Sequence, residues 1–448
     1  MSQWVVAKFG GTSMATIESM SQCADVVISK QANIVLVSAT SGTTNQLVEL
    51  ADVASRGDMH KANLILEAIE ERHTQMLLET KPGARAMEKL RTYVRELKTV
   101  AKGCALLKEC SPKAYDALMS QGELLSSTIF TSLLKSKTDK DVYWFDSRNV
   151  IATDNQHGKA RPQLDQIKSN CQSIFQDAGV LYVGQGFIGQ GPNGITTTLG
   201  RGGSDYSAAL VAEGIGADIL QIWTDVPGMA TTDPRICPDA QSIDELSVKE
   251  ASEMATFGAK ILHPSSLAPA IRQDIPVFVG STFEPEKAGT TITDDVSAHP
   301  LIRAVTLRNN QTLIITSNPD MLSASGFLKR IFTVFDNYEI SIDAITTSEI
   351  SVAVTIDQSE FPTGEKAEQF ITELEALGQV KIEKNMSLIA IVGNNLHQTP
   401  GVGGQIFNSL ENINVRMITH GASSHNFCII VDEAQAKQAV KQLHENLI

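Results

Sequence analysis

Positive charge is scarce in this chain. Its 448 residues carry 37 Lys and Arg against 51 Asp and Glu, a formal net charge of −14. Such a balance repels a polyphosphate backbone, so nucleic acid is not an expected partner. Cysteine is sparse too: Cys23, Cys104, Cys110, Cys171, Cys237 and Cys428 are scattered with no C-x-x-C pair. That spacing excludes a zinc site and a disulfide framework, and fits reduced thiols in a cytoplasmic protein. No apolar run reaches the length of a membrane span, so no membrane association is expected. The chain enters a strand-like segment at Trp4, which leaves no room for a signal peptide. A G-x-x-x-x-G-K-[ST] loop is also missing. What remains, 42% hydrophobic and 20% charged residues, describes an ordinary globular chain long enough for two or three domains.

The densest chemistry lies at residues 196–205, which hold three glycines, four hydroxyls, Arg201 and Asp205. Glycine lets main-chain N–H groups approach an anion, and arginine forks onto a carboxylate or phosphate. The apolar run from Tyr206 to Val211 predicts a helix whose N-terminus faces this loop and favours bound anions. A second glycine site opens the chain, where the apolar run 4–7 leads into Lys8-Phe9-Gly10-Gly11-Thr12-Ser13. A lysine at a strand end beside a Gly-Gly turn suits a triphosphate, although such turns are common on their own.

Apolar strand-like runs at 34–38, 142–145, 180–183, 219–223 and 275–279 alternate with helical segments. This predicts an α/β domain with three αβα layers and a mostly parallel sheet over residues 1–297. Residues 58–137 are rich in Glu, Lys, Leu and Ala and predict a helical subdomain with one break at Lys81-Pro82-Gly83. It stands either over one side of the site or as a hairpin on the back of the sheet. The polar stretch 285–300 marks a boundary. Beyond it a repeat of about 75 residues, too long for a solenoid unit, sets the glycine-led helices near Gly326 and Gly404 before strands at Ile340 and Ile413. Two βαββαβ units, 310–384 and 385–448, are expected within the regulatory region 298–448, packed sheet to sheet within the chain or between chains. The run Gly184-Gln185-Gly186-Phe187-Ile188-Gly189 formally satisfies a dinucleotide fingerprint, but a turn follows it instead of a helix, so a β-hairpin is the better reading. Ser247 and Glu250 form a capping box, which makes that glutamate structural.

The motifs KFGGTS, SQGELLSS, TTTLGRGGSDY, WTDVPGMATTDPR and EMATFGAKILHP, then ITTSEISVAVT and GASSHN, occur in one order along the whole chain. In this they resemble the aspartokinases of the amino-acid kinase family, and among them the single-function lysine-sensitive type with tandem ACT domains. The resemblance implies transfer of the ATP γ-phosphoryl group to the side-chain carboxylate of L-aspartate, with Mg²⁺, at the head of lysine, threonine and methionine synthesis. An aspartate side chain is already ionised at neutral pH, so no general base is required. Catalysis is then positioning and charge neutralisation.

By the same resemblance Lys8 and Asp205 are catalytic. Lys8 stabilises the transferring group, and Asp205 orients Lys8 and helps organise Mg²⁺ held on the ATP phosphates. Thr44, Glu123, Arg201 and Ser204 bind aspartate, with Arg201 on its α-carboxylate and Glu123 on its ammonium. Gly10, Gly11 and Ser13 line the phosphates. Thr224, Asp225, Ala230, Arg235, Lys260 and Ile261 serve the rest of the nucleotide. Ala230 departs from the tyrosine that the family usually carries. His263-Pro264 reads as a turn. Met321, Ser323, Ser325, Phe327, Leu328, Asp343, Thr347 and Ser348 are implied for the effector, L-lysine first and threonine second. Homodimerisation through the ACT domains is implied, with a tetramer open. The rival readings are an amino-acid sensor with a degenerate kinase lobe, and glutamate as acceptor.

Overall fold

The computed structural model describes residues 3–258, 266–294, 296–323 and 325–448. It divides into two compact units, one of residues up to 229 with 242–248 and 261–296, the other of 230–241, 249–260 and 297–448. The first unit contains β1 (Val5–Phe9), α1 (Ile17–Ser29), β2 (Ile34–Val37), α2 (Thr43–Ser55), α3 (Met59–Glu79), α4 (Ala84–Leu107), α5 (Pro112–Lys137), β3 (Val142–Trp144), α6 (Leu164–Ile174) and β4 (Leu181–Gln185). It continues through β5 (Ile188–Gln190), β6 (Thr196–Thr198), α7 (Gly203–Ile215), β7 (Ile219–Thr224) and β8 (Glu245–Leu246). The helix α8 (Val248–Thr256) runs into the second unit, and α9 (Ala268–Ile271), β9 (Val277–Ser281) and β10 (Thr290–Ile292) return to the first.

The sheet order is β3-β4-β2-β1-β7-β9-β10-β8, parallel except where β10 runs against β9. Its central strands are wholly buried, which is why β1 and β2 read as unbroken apolar runs interrupted only by Lys8. Side chains alternate between two covered faces. Val5, Ala7 and Phe9 join the core shared with the helical bundle, whereas Lys8 faces the side on which α7 packs. The Gly184–Gly189 run ends in the antiparallel pair β5–β6, the expected hairpin.

The helical stretch breaks twice, not once. Besides the turn at 81–83 there is a second at 108–111, where Lys108 ends α4 in a left-handed conformation at φ 52°. Ser111 then caps α5, accepting a hydrogen bond from the Ala114 N–H at 3.3 Å, with Pro112 in the first turn. A lysine hides this break in the sequence, because nothing in its side chain announces positive φ.

The second unit holds β11 (Ile302–Ser317), α10 (Phe327–Asn337), β12 (Ala344–Thr347), β13 (Ser351–Asp357), α11 (Glu365–Glu375), β14 (Gln379–Gly393), α12 (Val402–Asn408), β15 (Met417–His420), β16 (Asn426–Asp432) and α13 (Glu433–Leu447). The two repeats do not stack sheet to sheet within the chain. They share one antiparallel sheet, β12-β13-β11-β14-β16-β15, because β11 and β14 are long enough to run through both. Residues 313–317 pair with 379–383, and 311–317 pair with β13. Past an irregularity at 308–311, residues 302–308 pair with 388–393 beside the second repeat. Each repeat keeps its own core, one around Ile331, Phe335 and Phe370, the other around Ile406, Ile429 and Leu443.

Glu250 in α8 is structural, as expected. It is fully buried and receives Arg303 Nε at 2.9 Å and Asn394 Nδ2 at 2.8 Å. Arg303→Ala leaves that buried carboxylate without its cation, and we expect a loss of about 3 kcal/mol, read as a lower urea midpoint, while Glu250→Gln with Arg303→Met recovers part of it.

Candidate functional site

A cavity of about 430 Å³ opens where the loops after β1, β2 and β6 meet the start of α7. This is the carboxyl end of the parallel strands, where open α/β sheets bind their ligands. Lys8, Gly11 and Thr12 line it from the first loop, residues 38–42 and Thr44 from the second, Gly200, Gly202, Gly203, Ser204 and Asp205 from the third, and Glu123 from α5. The volume matches a small-molecule site.

Lys8 Nζ lies 2.6 Å from Asp205 Oδ1, with both side chains nearly buried. Strand register dictates this pair. Lys8 sits between Leu36 and Ile222 in the sheet and points to the face covered by α7, whose first turn supplies Asp205. The helix begins at Gly203, three residues earlier than the apolar pattern indicated, so Ser204 and Asp205 belong to its first turn. An acidic group there is favoured by the helix dipole, as is an anionic ligand beside it. Arg201 is exposed and has no ion-pair partner among the described residues, which leaves its guanidinium free to close on an anion.

Glu123 reaches the cavity because Gly122 lets α5 approach the loop after β2. A Cβ on Gly122 would stand 2.8 Å from the Ala39 side chain. Burial raises the Glu123 carboxyl to about 8, against opposing main-chain hydrogen bonding at Ala39 and at Glu123 itself. A buried acid facing a cavity without a cation beside it is prepared to receive one.

The helical bundle supports the site side. Arg72 of α3 donates to Ser41 O at 2.7 Å and to Ala15 O at 3.0 Å, bracing the loops after β2 and β1. Its neighbour His73 is buried, which lowers its pKa to about 4 and keeps it neutral. His73 Nδ1 is 2.7 Å from Ile69 O, so that nitrogen carries the proton. Its Nε2 therefore accepts from the Thr40 hydroxyl at 3.0 Å, and Thr40 in turn accepts from Thr43 at 2.6 Å.

Several expected residues stand elsewhere. Ser13 is buried and is not on the cavity wall; its hydroxyl lies 2.8 Å from that of Thr282 and so secures the loop. The Gly10 N–H donates to Trp223 O at 3.2 Å and extends the ladder between β1 and β7, leaving Gly11 as the glycine that lines the cavity. Thr224 and Asp225 close the end of β7, bonded to each other at 3.0 Å. Ala230 and Arg235 fall in segment 230–241 of the second unit, where Arg235 is held by Asp233 at 2.8 Å. Lys260, Ile261, His263 and Pro264 lie outside the described residues. No group of three or more His, Cys, Asp or Glu suited to a metal occurs among the described residues.

A family model for the amino acid kinase family matches residues 3–281, and one for the ACT domain matches 316–367 and 389–447. The lysine-sensitive aspartokinase 3 of Escherichia coli is 42% identical over the full length of both chains. The chain belongs to the aspartokinases of the amino acid kinase family. Aspartokinase 1 of Arabidopsis thaliana chloroplasts is 32% identical over 98% of this chain and 79% of its own. The crystal structure of E. coli aspartokinase III with aspartate and ADP, in the R-state, superposes with a TM-score of 0.86, covering 99% of this chain and 100% of that one at 42% identity. The same enzyme with lysine and aspartate, in the T-state, gives 0.86 with 99% of each covered.

In the ACT region, Gly326 opens α10, and the Phe327 side chain belongs to the core of the first repeat and not to an open site. Met321 is half-buried, and Ser325 and Leu328 are exposed. Thr347 ends the outer strand β12, and the Ser348 hydroxyl is 2.7 Å from that of Ser351. Asp343 was expected to meet an ammonium group, yet it already has a cation: Arg308 Nη1 lies 2.9 Å from its Oδ1. Its Oδ2 is buried without a hydrogen-bond partner among the described residues, and burial raises its pKa. No helix among the described residues is long and apolar enough to cross a membrane.

The run at 38–42 was missed as a cavity wall, although small polar residues with a glycine after an apolar strand are the available signal. Arg72 and His73 carry no signal, since a helical periodicity looks the same whether or not its polar residues touch a loop.

The raised Glu123 carboxyl has a measurable consequence. Between the ordinary value of 4.5 and about 8, the folded chain holds a proton that the unfolded chain has released. Its contribution therefore favours folding less as pH rises through that window. Glu123→Gln removes this dependence, so the variant should gain stability relative to wild type from pH 5 to pH 8 in urea titrations; parallel curves would show an ordinary carboxylate.

Proposed function

We propose that this chain transfers the γ-phosphoryl group of ATP to the side-chain carboxylate of L-aspartate, and that L-lysine inhibits it. One observation carries the reading: the Lys8–Asp205 pair and the uncompensated Glu123 line the same cavity between glycine-rich loops. The E. coli relatives crystallised with aspartate and ADP, and with lysine, support the choice of ligands.

The acceptor ammonium rests against Glu123, its α-carboxylate against Arg201, and Thr44 and Ser204 add hydrogen bonds. Lys8 follows the charge of the transferring group, held in line by Asp205. Gly11 and the start of α7 offer main-chain N–H groups to the phosphates. Mg²⁺ bound with ATP would supply charge neutralisation at the phosphates, with Asp205 the residue that would help hold it. The described residues fit an ion carried mainly by ATP, since Asp205 is the only carboxylate besides Glu123 on the cavity wall. Thr224, Asp225, Ala230, Arg235, Lys260 and Ile261 remain the proposed nucleotide contacts.

For the effector, the open Oδ2 of Asp343 is the acceptor for the lysine ammonium beside Arg308. Met321, Ser323, Ser325 and Leu328 lie around the start of α10, with Thr347 and Ser348 beyond. Inhibition requires lysine to bind an inactive arrangement more tightly than the active one, and a dimer through the ACT region is the proposed unit of that change.

The deciding assay is ADP release with Mg-ATP and L-aspartate, with and without L-lysine, beside L-glutamate as acceptor. Turnover with aspartate that lysine suppresses is the expected result; no turnover in a folded chain that binds lysine would make it a sensor. Lys8→Ala and Asp205→Ala should each lower kcat by roughly 10²–10³-fold, and rates near wild type would remove the pair from the mechanism. Below about pH 8 the ammonium must displace the Glu123 proton, so KM for aspartate should rise up to about tenfold per pH unit on acidification. Asp343→Ala should abolish lysine inhibition; an equal fall in turnover would make Asp343 a structural residue.

A further inference from the structure

Asp116 is a buried carboxyl group that the proposed reaction does not use. It stands in the first turns of α5, is wholly inaccessible to solvent, and its carboxylate is saturated with donors. The Thr198 hydroxyl donates to Oδ1 at 2.6 Å and the Thr198 N–H to Oδ2 at 3.3 Å. The Gly158 N–H lies 3.1 and 3.2 Å from the two oxygens, and His157 Nδ1 is 2.7 Å from Oδ2. Desolvating a carboxylate is costly, and an apolar residue fills a core more cheaply. The donors here come from two separate segments, the turn at 157–158 and the end of β6, and both abut the loop that carries Arg201.

That loop has little freedom once the two segments are fixed. Gly200 has φ 77°, and a Cβ there would come within 2.9 Å of Gly158 O. The Ala160 N–H donates to Thr198 O at 2.9 Å. The backbone before Gly200 and the backbone packed against it are thus both referred to one carboxylate on α5. Glu123 stands about two turns further along α5, on the same side of the helix. One helix therefore bears the proposed ammonium site directly and, through Asp116, positions the strand end that leads to the proposed α-carboxylate site.

We infer that Asp116 is a positioning residue that fixes the separation between Glu123 and the loop 200–204, and thereby selects a four-carbon over a five-carbon amino dicarboxylate acceptor. The inference rests on the aspartate kinase reading. Aspartate and glutamate share the same ammonium and α-carboxylate ends and differ by one methylene before the reacting oxygen. Discrimination then depends on how firmly those ends are held while the reacting oxygen is presented in line. A site whose ends can shift by a fraction of an ångström accommodates the extra methylene.

The test compares Asp116→Asn, Thr198→Val and Thr198→Ser with wild type, measuring kcat/KM for L-aspartate and L-glutamate, KM for ATP, and Tm. In Asp116→Asn and Thr198→Val we expect KM for aspartate to rise about tenfold. The aspartate-to-glutamate ratio of kcat/KM should fall at least about fivefold, with KM for ATP within about twofold. Thr198→Ser keeps the hydroxyl donor and should restore both quantities to within about threefold of wild type. Equal losses for both acceptors, with a lowered Tm and an unchanged ratio, would overturn the inference and leave Asp116 a fold residue. Should Asp116→Asn fail to fold, Thr198→Val decides the same question, because it preserves shape and main-chain bonding. A wild-type protein that turns over aspartate while its variants keep the ratio defeats the positioning role alone; a wild-type protein inactive with aspartate defeats the functional reading and the inference with it.

Discussion

The ion pair between Lys8 and Asp205 links the central strand of the first unit to the N-terminus of α7. It can form only because β1 lies between β2 and β7 in parallel register, so that Lys8, next to last in a fully buried strand, points to the side that α7 covers. The same register brings the loops after β1 and β2 to one edge of the sheet, and α7 begins at that edge. The cavity is a consequence of that pairing. Shifting β1 by one residue would turn Lys8 toward the apolar core shared with the helical bundle and remove the cation from the site.

The chain buries carboxylates in three distinct ways, and the differences separate structure from function. Glu250 has a guanidinium and an amide donor. Asp116 has no arginine or lysine and is instead surrounded by N–H and O–H donors from two segments. Glu123 has no cation and only the main-chain hydrogen bonding at Ala39 and at itself, and burial outweighs that and holds its proton up to about pH 8. The first two are completed by the fold. The third is completed only by something that enters the cavity, which is why the site has chemistry to perform and not merely polar packing.

In the regulatory unit, two strands decide the architecture. β11 and β14 each run through both repeats and change partners near an irregularity at 308–311. Arg308 sits at that irregularity and reaches Asp343. A residue at the junction of the two repeats thus touches the proposed effector acid, so a change at Asp343 acts on the point where the pairing of the long strands shifts.

The sequence by itself determined the alternating α/β pattern, the helical insertion, the doubled regulatory unit, and the two glycine-rich loops with Lys8, Arg201 and Asp205. These are local signals, carried by hydrophobic period, turn residues and short motifs, and they persist whatever the rest of the chain does. It did not show that the Ser13 hydroxyl packs against that of Thr282, a partner far away in the chain. It also missed the break at Lys108, although Ser111 and Pro112 just after it are helix-start residues. The continuous regulatory sheet was equally hidden, because strand partners far apart in the chain leave no periodicity. Arg72, His73 and Asp116 look like ordinary helix residues until their helices are docked against the loops. What tertiary structure alone decided was which charges are desolvated and what faces them. A carboxylate's proton affinity and its role are set by burial and by neighbours distant in sequence, and those exist only after the chain has folded.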